Sequence, residues 1–115
     1  MTDVLVGGVL ALVGIAVEQC LGGPALHHEG ELVVAIGKSG TMVSEEDAPA
    51  LIWGHAAGND LTRRDLQAEA KATRRPWDMA KGFDKSAVVG AIRPGVLPDA
   101  SLRCTVNGAR RQEAR

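Results

Sequence analysis

Aromatic side chains are nearly absent: the 115 residues include two Trp, one Phe and no Tyr. A core built without them must be aliphatic, drawn from Val, Leu, Ile and Ala, and the 45% hydrophobic content is globular in kind. Cysteine is also scarce. Cys20 and Cys104 form no CxxC pair and no zinc-like spacing with the three histidines, which excludes a zinc module and a disulfide-stapled scaffold. They read as reduced, buried thiols of a cytoplasmic protein. Neither sign of charge prevails, the net value being −1. Arg63-Arg64, Arg74-Arg75 and Arg110-Arg111 are isolated pairs, so no basic patch recruits nucleic acid or an acidic membrane surface. A long apolar run is missing too. Residues 4–17 are almost wholly apolar, but a membrane helix needs about 20 such residues. Asp3 stands where a leader peptide carries basic residues, and no small-residue cleavage motif stands out. The segment reads as a buried element, and neither nucleic acid nor membrane is expected as a partner.

What the chain has in quantity is glycine, 14 in all, which suits a turn-rich β or mixed architecture better than a helical bundle. Its length fits one domain or part of one, able to bury roughly two-thirds of its unfolded surface. Residues 31–37 read as a buried strand ending in the turn Gly37-Lys38-Ser39-Gly40. Ser44 is placed to cap a helix with Glu45, Glu46 and Asp47 in its first turn and Ala48, Leu51 and Ile52 on its apolar stripe. That helix should end near Trp53-Gly54, leaving residues 55–58 as a short extended link that delivers Asn59-Asp60. Residues 62–72 are rich in helix formers and place Arg64 and Gln67 on one face. Arg75-Pro76-Trp77-Asp78 breaks this helix. The rare aromatics Trp77 and Phe83 are expected to anchor the core. Residues 88–90 look like a short strand and 94–98 like a loop. Residues 101–106 alternate in the manner of a strand, and Asn107-Gly108 is a strong hairpin signal returning the chain along 109–113.

The chemistry sits in two runs, His27-His28-Glu29-Gly30-Glu31-Leu32-Val33-Val34-Ala35-Ile36-Gly37-Lys38 and Gly58-Asn59-Asp60-Leu61-Thr62-Arg63-Arg64-Asp65-Leu66-Gln67. In an extended chain alternate side chains share a face, so Glu29 and Glu31 point the same way. Two carboxylates held that close resist ionising together unless positive charge lies between them. A hard divalent cation is the usual solution, since it prefers oxygen ligands, and Asp60 can supply a third.

These runs, followed by Pro76-Trp77-Asp78-Met79-Ala80-Lys81-Gly82-Phe83-Asp84 and Val106-Asn107-Gly108, stand in an order and at spacings that are specific together. On them the chain resembles the fumarylacetoacetate hydrolase family, in particular its small acylpyruvase-like members, over residues 22–112. The resemblance implies an α+β, mostly β fold, a mixed β-roll of the family's C-terminal-domain type in truncated form. It implies a divalent metal, Mg²⁺ or Mn²⁺ with Ca²⁺ as an alternative, held by Glu29, Glu31 and Asp60. By motif position Lys81 is the catalytic lysine beside the metal, and Arg64 and Gln67 bind substrate. The substrates implied are small 2-oxo or β-diketo acids. Such an acid chelates a metal through its carboxylate and keto oxygens, and the metal stabilises the enolate left as a C–C bond breaks. A guanidinium such as Arg64 suits the substrate carboxylate.

The chain also departs from the family. Residues 1–21 form an apolar segment unlike it, without the His and Glu of a mobile lid that activate the attacking water. Residues 22–115 correspond to a partial catalytic domain, without the glycine-rich closing loop downstream. Lys85 stands where some members carry a small hydroxyl residue. The expected activity is metal-dependent hydrolysis or lysis of C–C bonds in acylpyruvates. The alternatives are a catalytically incomplete fragment that only binds metal or oxo acid, or a family isomerase or oxaloacetate decarboxylase. A homodimer is common in the family and is carried over as an expectation. Strand edges and apolar surface left uncovered would favour aggregation or dependence on a partner.

Overall fold

The computed structural model of the chain describes residues 2–6, 9–15, 25–95, 97 and 99–115. Cys20 and the end of the 4–17 apolar segment lie outside the described residues. Residues 7–8 lie outside them too, and to either side are strands β1 (Thr2–Val6) and β2 (Val9–Ile15), paired antiparallel. Two residues, β3 (Leu26–His27), precede β4 (Gly30–Ile36), which pairs antiparallel with the nine-residue β5 (Ile52–Asp60). A bridge strand β6 (Thr62–Arg63) leads directly into helix α1 (Arg64–Thr73), and a single turn, α2 (Asp78–Lys81), follows. The chain then runs through β7 (Ala87–Val89), β8 (Arg93–Pro94), β9 (Leu102–Val106) and β10 (Ala109–Ala114).

Two main sheets result. The first has the order β10-β9-β1-β2 and joins both ends of the chain; the second has the order β4-β5-β7, with β8 on the early part of β5. The β3–β6 pair forms a small third sheet. The first two meet where β5 lies beside β1 and β2, and β4 beside β9. The α+β, mostly β class expected from the sequence is the class observed.

The hairpin between β9 and β10 turns at Asn107 (φ 51°) and Gly108 (φ 78°), two consecutive left-handed residues that give the strands the right twist. Helix α1 carries Asp65 in its first turn and Lys71 in its last, each matched to the local end of the dipole. It ends on Arg74 in the left-handed region, just before Pro76.

Four expectations need correction. The helix beginning at Ser44 is a single 3-10 turn, Ala48–Leu51. Ser44 caps only its own turn, its Oγ accepting the Asp47 N–H at 3.1 Å. Pro49 and Gly54 leave no room for more regular helix. Residues 55–58 are no short link but the middle of β5, the best-buried strand among the described residues. The strand at 31–37 is not buried along its length: Leu32, Val34 and Ile36 of β4 are exposed. Trp77 is exposed and Phe83 half-buried; neither anchors the core, and each ring instead carries a cation, Lys71 over Trp77 and Arg63 over Phe83.

The described core is small-residued and partly polar. Ala56, Ala57, Leu61, Ala80 and Cys104 are buried alongside Asn59, Thr62, Gln67 and Ser86. This packing concentrates at the end of β5, directly behind Asp60. Of the Val, Leu, Ile and Ala expected for an aliphatic core, the buried side chains are alanines and Leu61, joined by polar groups that are mostly hydrogen-bonded.

Candidate metal centre

Five charged side chains converge from four elements. Glu29 immediately precedes β4 and Glu31 is its second residue; Asp60 ends β5, Arg64 begins α1, and Lys81 ends α2. The register that sets Gly30 opposite Asn59 brings Asp60 beside Glu29, and the Asp60 N–H donates to the Glu29 carbonyl at 2.9 Å. The pleat puts Glu29 and Glu31 on one face. One carboxylate oxygen from each of Glu29, Glu31 and Asp60 can be chosen so that all three lie within 4.8 Å of one another.

Lys81 lies between two of these carboxylates. Its Nζ donates to Glu29 Oε2 and to Asp60 Oδ2, both at 2.6 Å. Arg64 donates through Nη2 to Glu29 Oε1 and through Nη1 to Gln67 Oε1 at 2.8 Å. Burial pushes the Glu29 carboxyl up, but hydrogen bonds and charge from Lys81 and Arg64 outweigh it and hold Glu29 below its ordinary value. For Lys81 burial disfavours the ammonium, yet Asp60 and Glu29 outweigh it and raise its pKa. Both groups are therefore charged at neutral pH. The Glu31 side chain is exposed and makes no hydrogen bond or ion pair among the described residues.

This donor set fits a hard divalent cation. Three carboxylates supply oxygen ligands only, Glu31 lacks a counter-charge, and the two resident cations leave the five groups one negative charge in excess. A divalent ion would turn that excess into one positive charge, a site ready for an anion.

The surroundings fix the carboxylates more than the sequence reveals. Asn59 is buried, and its Oδ1 accepts the Glu29 N–H at 3.1 Å, while its Nδ2 has no partner among the described residues. Thr62 Oγ1 donates to the Asp60 carbonyl at 3.2 Å. Gln112, on β10, bonds both backbone groups of Gly30. Of the residues singled out from sequence, Gln67 is brought to the site only through Arg64: it is buried behind the guanidinium, not facing the carboxylates. His55 lies apart, its Nδ1 3.1 Å from the Gly95 carbonyl. Lys85 is exposed in a turn with φ 60°. His28 is half-buried; burial, then the neighbouring His27, Arg111 and Arg64, lower its pKa. Asn59 stood in the quoted motif, but its role required the register; Gln112 had no signal beyond its distance from everything it touches.

Residues 9–115 match the family model described as Fumarylacetoacetate (FAA) hydrolase C-terminal. A fumarylpyruvate hydrolase of a Ralstonia species is 45% identical over 91 residues, covering 76% of this chain and 47% of that protein. The mitochondrial oxaloacetate tautomerase of Caenorhabditis elegans is 40% identical over 94 residues, covering 78% and 44% respectively. A crystal structure of a fumarylpyruvate hydrolase from Pseudomonas aeruginosa, in complex with Mn²⁺ and pyruvate, superposes with a TM-score of 0.73 at 41% identity, covering 77% of this chain and 40% of that one. The chain thus spans somewhat under half the length of the curated relatives it matches.

Proposed function

The chain belongs to the fumarylacetoacetate hydrolase family, and from that premise we propose that it acts on small 2-oxo acids of the acylpyruvate type by metal-dependent cleavage of a C–C bond. The observation that carries the reading is the carboxylate triad Glu29, Glu31 and Asp60 with Lys81 lodged in it and Arg64 at its rim. In the proposal Glu29, Glu31 and Asp60 hold Mg²⁺ or Mn²⁺; bound there, the ion supplies positive charge to the carboxylate and keto oxygens of the substrate. Arg64, half-exposed and oriented by Gln67, takes a substrate carboxylate through its planar fork. Lys81 keeps its ammonium beside the carbon skeleton, where it offsets negative charge that develops as the bond breaks. Glu29 and Asp60 hold that ammonium in place and keep it protonated. No helix among the described residues is long and apolar enough to cross a membrane. A cytoplasmic setting and a homodimer are part of the proposal.

The test uses the full chain with fumarylpyruvate or a simpler acylpyruvate, in Mg²⁺ or Mn²⁺. Turnover that is lost in Glu29→Ala supports the proposal, and absence of turnover in folded, metal-loaded protein defeats it. The oxaloacetate tautomerase relative favours a second reading, interconversion of keto and enol forms of oxaloacetate. Following the enol absorbance of oxaloacetate alongside pyruvate release separates the two. A third outcome, calorimetric binding of Mn²⁺ and oxalate without turnover of either substrate, would identify a metal- and oxo-acid-binding unit that lacks catalytic groups.

A further inference from the structure

Gly30 sits between the two glutamates of the triad, so any shift of its peptide groups moves both carboxylates. Its partner in the β4–β5 register is Asn59, one step from the Glu29–Asp60 pair that exchanges a backbone hydrogen bond. Antiparallel ladders alternate, so the N–H and C=O of Gly30 turn away from β5 toward the outer edge of β4. There the Gly30 N–H donates to Gln112 Oε1 at 2.9 Å, and Gln112 Nε2 donates to the Gly30 carbonyl at 2.7 Å. One side-chain amide thus copies the peptide group of a neighbouring strand, at a single position and across 82 residues of sequence.

Two features show that this contact is built. The ladder of β9 and β10 shifts register between Arg110 and Gln112, a bulge of the kind that re-aims a side chain. The approach is also close: a Cβ on residue 30 would lie 3.2 Å from Cys104 Cβ, 3.2 Å from Gln112 Oε1 and 3.3 Å from Leu102 Cδ2, so a side chain there would push these neighbours back by a few tenths of an ångström. Asn59 and Asp60 fix the N–H and C=O of Glu29 from β5, and Gln112 fixes those of Gly30 from β10. Gln112 is the one member of this bracket that lies outside residues 29–86.

We propose that Gln112 is the positioning residue of the carboxylate triad, its amide clamping Gly30 so that Glu29 and Glu31 present their oxygens to a divalent cation together. The proposal rests on the metal-site reading above. Gln112 touches neither metal nor substrate in this role; it acts through the backbone that carries the ligands, as outer partners of metal ligands do.

The test compares the wild-type chain with Gln112→Leu, which keeps the volume and removes both hydrogen bonds, and with Val106→Ala, which loosens the same hairpin beside its turn. Mn²⁺ affinity is measured by calorimetry, Tm by circular dichroism, and exchange of the Gly30 amide by NMR. Gln112→Leu is expected to weaken Mn²⁺ about tenfold or more and to release the Gly30 amide to solvent. Val106→Ala should lower Tm while leaving Mn²⁺ affinity within about twofold. Unchanged affinity in Gln112→Leu, or a loss that merely tracks Tm in both variants, overturns the proposal. If the wild type itself binds no Mn²⁺, the metal reading fails, and the clamp is judged by exchange alone: persistent protection of Gly30 in Gln112→Leu removes it.

Discussion

The two ends of β4 are built on opposite principles. At its start, Gly30 is buried, and the Glu29–Gly30 backbone is held by hydrogen bonds from Asn59, Asp60 and Gln112. Further along the same strand Leu32 is 45% exposed, Val34 43% and Ile36 66%, with Trp53 of β5 beside them at 53%. Apolar burial at about 25 cal/mol per Å² is the main driving force of folding, and here much of it goes unused. The acidic end is secured instead by directional bonds and ion pairs, which fix positions more sharply than they add stability. A carboxylate cluster needs position first, since ligands displaced by even an ångström no longer converge on one ion.

Glu29→Ala tests the ordered end most severely. It removes a proposed ligand and the shared partner of Arg64 and Lys81, leaving two cations facing one ion. Mn²⁺ affinity, read by calorimetry, is expected to fall at least about 100-fold, through the lost ligand and the exposed positive charge together. Binding within tenfold of wild type would mean that the triad is not the site.

Lys81→Met should act in the opposite direction. The ammonium occupies carboxylate oxygens that a metal would use, at 2.6 Å from both Glu29 and Asp60. A metal would share these carboxylates with the ammonium and feel its charge, so removing that charge should tighten Mn²⁺ binding about tenfold. The same variant should lower the Tm of the metal-free chain, because Glu29 and Asp60 then face each other with less compensation. Unchanged affinity would show that the lysine swings clear when metal arrives.

The ends also differ in how legible they were. Glu29, Glu31 and Asp60 could be grouped from residue type and strand alternation, whereas Arg64 and Lys81 entered through the family resemblance of the motifs that contain them. The Asn107-Gly108 turn was legible because its backbone angles follow from those two residues alone. Strand β5 was not, because Ser44 and three following acids mimic a helix start, whereas residues 52–60 become a strand through pairing with β4 and β7. Gln112 looked like one more polar residue in an Arg-Arg-Gln-Glu run; its role depends on a bulge and on a contact 82 residues away. The exposure of Leu32, Val34 and Ile36 was likewise hidden, since an apolar run says that a face should be covered and not what lies over it.

The open end of β4 should respond weakly in every property but association. Val34→Lys places a charge on an exposed edge strand, a common natural protection against edge-to-edge pairing. Its effect on stability should stay within about 0.5 kcal/mol, as for other exposed positions, and Mn²⁺ affinity should not change. Light scattering against concentration should show less self-association than in the wild type. A tenfold loss of Mn²⁺ affinity would instead tie the two ends together and end the contrast drawn between them.

The smallest effect belongs to the hairpin that carries Gln112. Glu113, one residue on, accepts from Arg103 at 2.9 Å and from Arg110 at 2.7 Å. The Arg103 hydrogen bond, then the charge of Arg110, holds its carboxyl below its ordinary value. A carboxyl whose folded pKa is depressed contributes stability above its unfolded value and loses that contribution as pH falls through the folded one. Both oxygens face solvent, so the pairs are screened and the contribution is slight. Glu113→Gln should therefore lower Tm marginally at neutral pH in low salt. The difference from wild type should close as pH falls through the depressed folded pKa, and also in about 1 M salt, where the screening length is roughly 3 Å. Mn²⁺ affinity should be unchanged, because the Gln112 amide reaches Gly30 without help from its neighbour. A Tm difference that survives both acid and salt would show that Glu113 supports the hairpin through packing rather than charge.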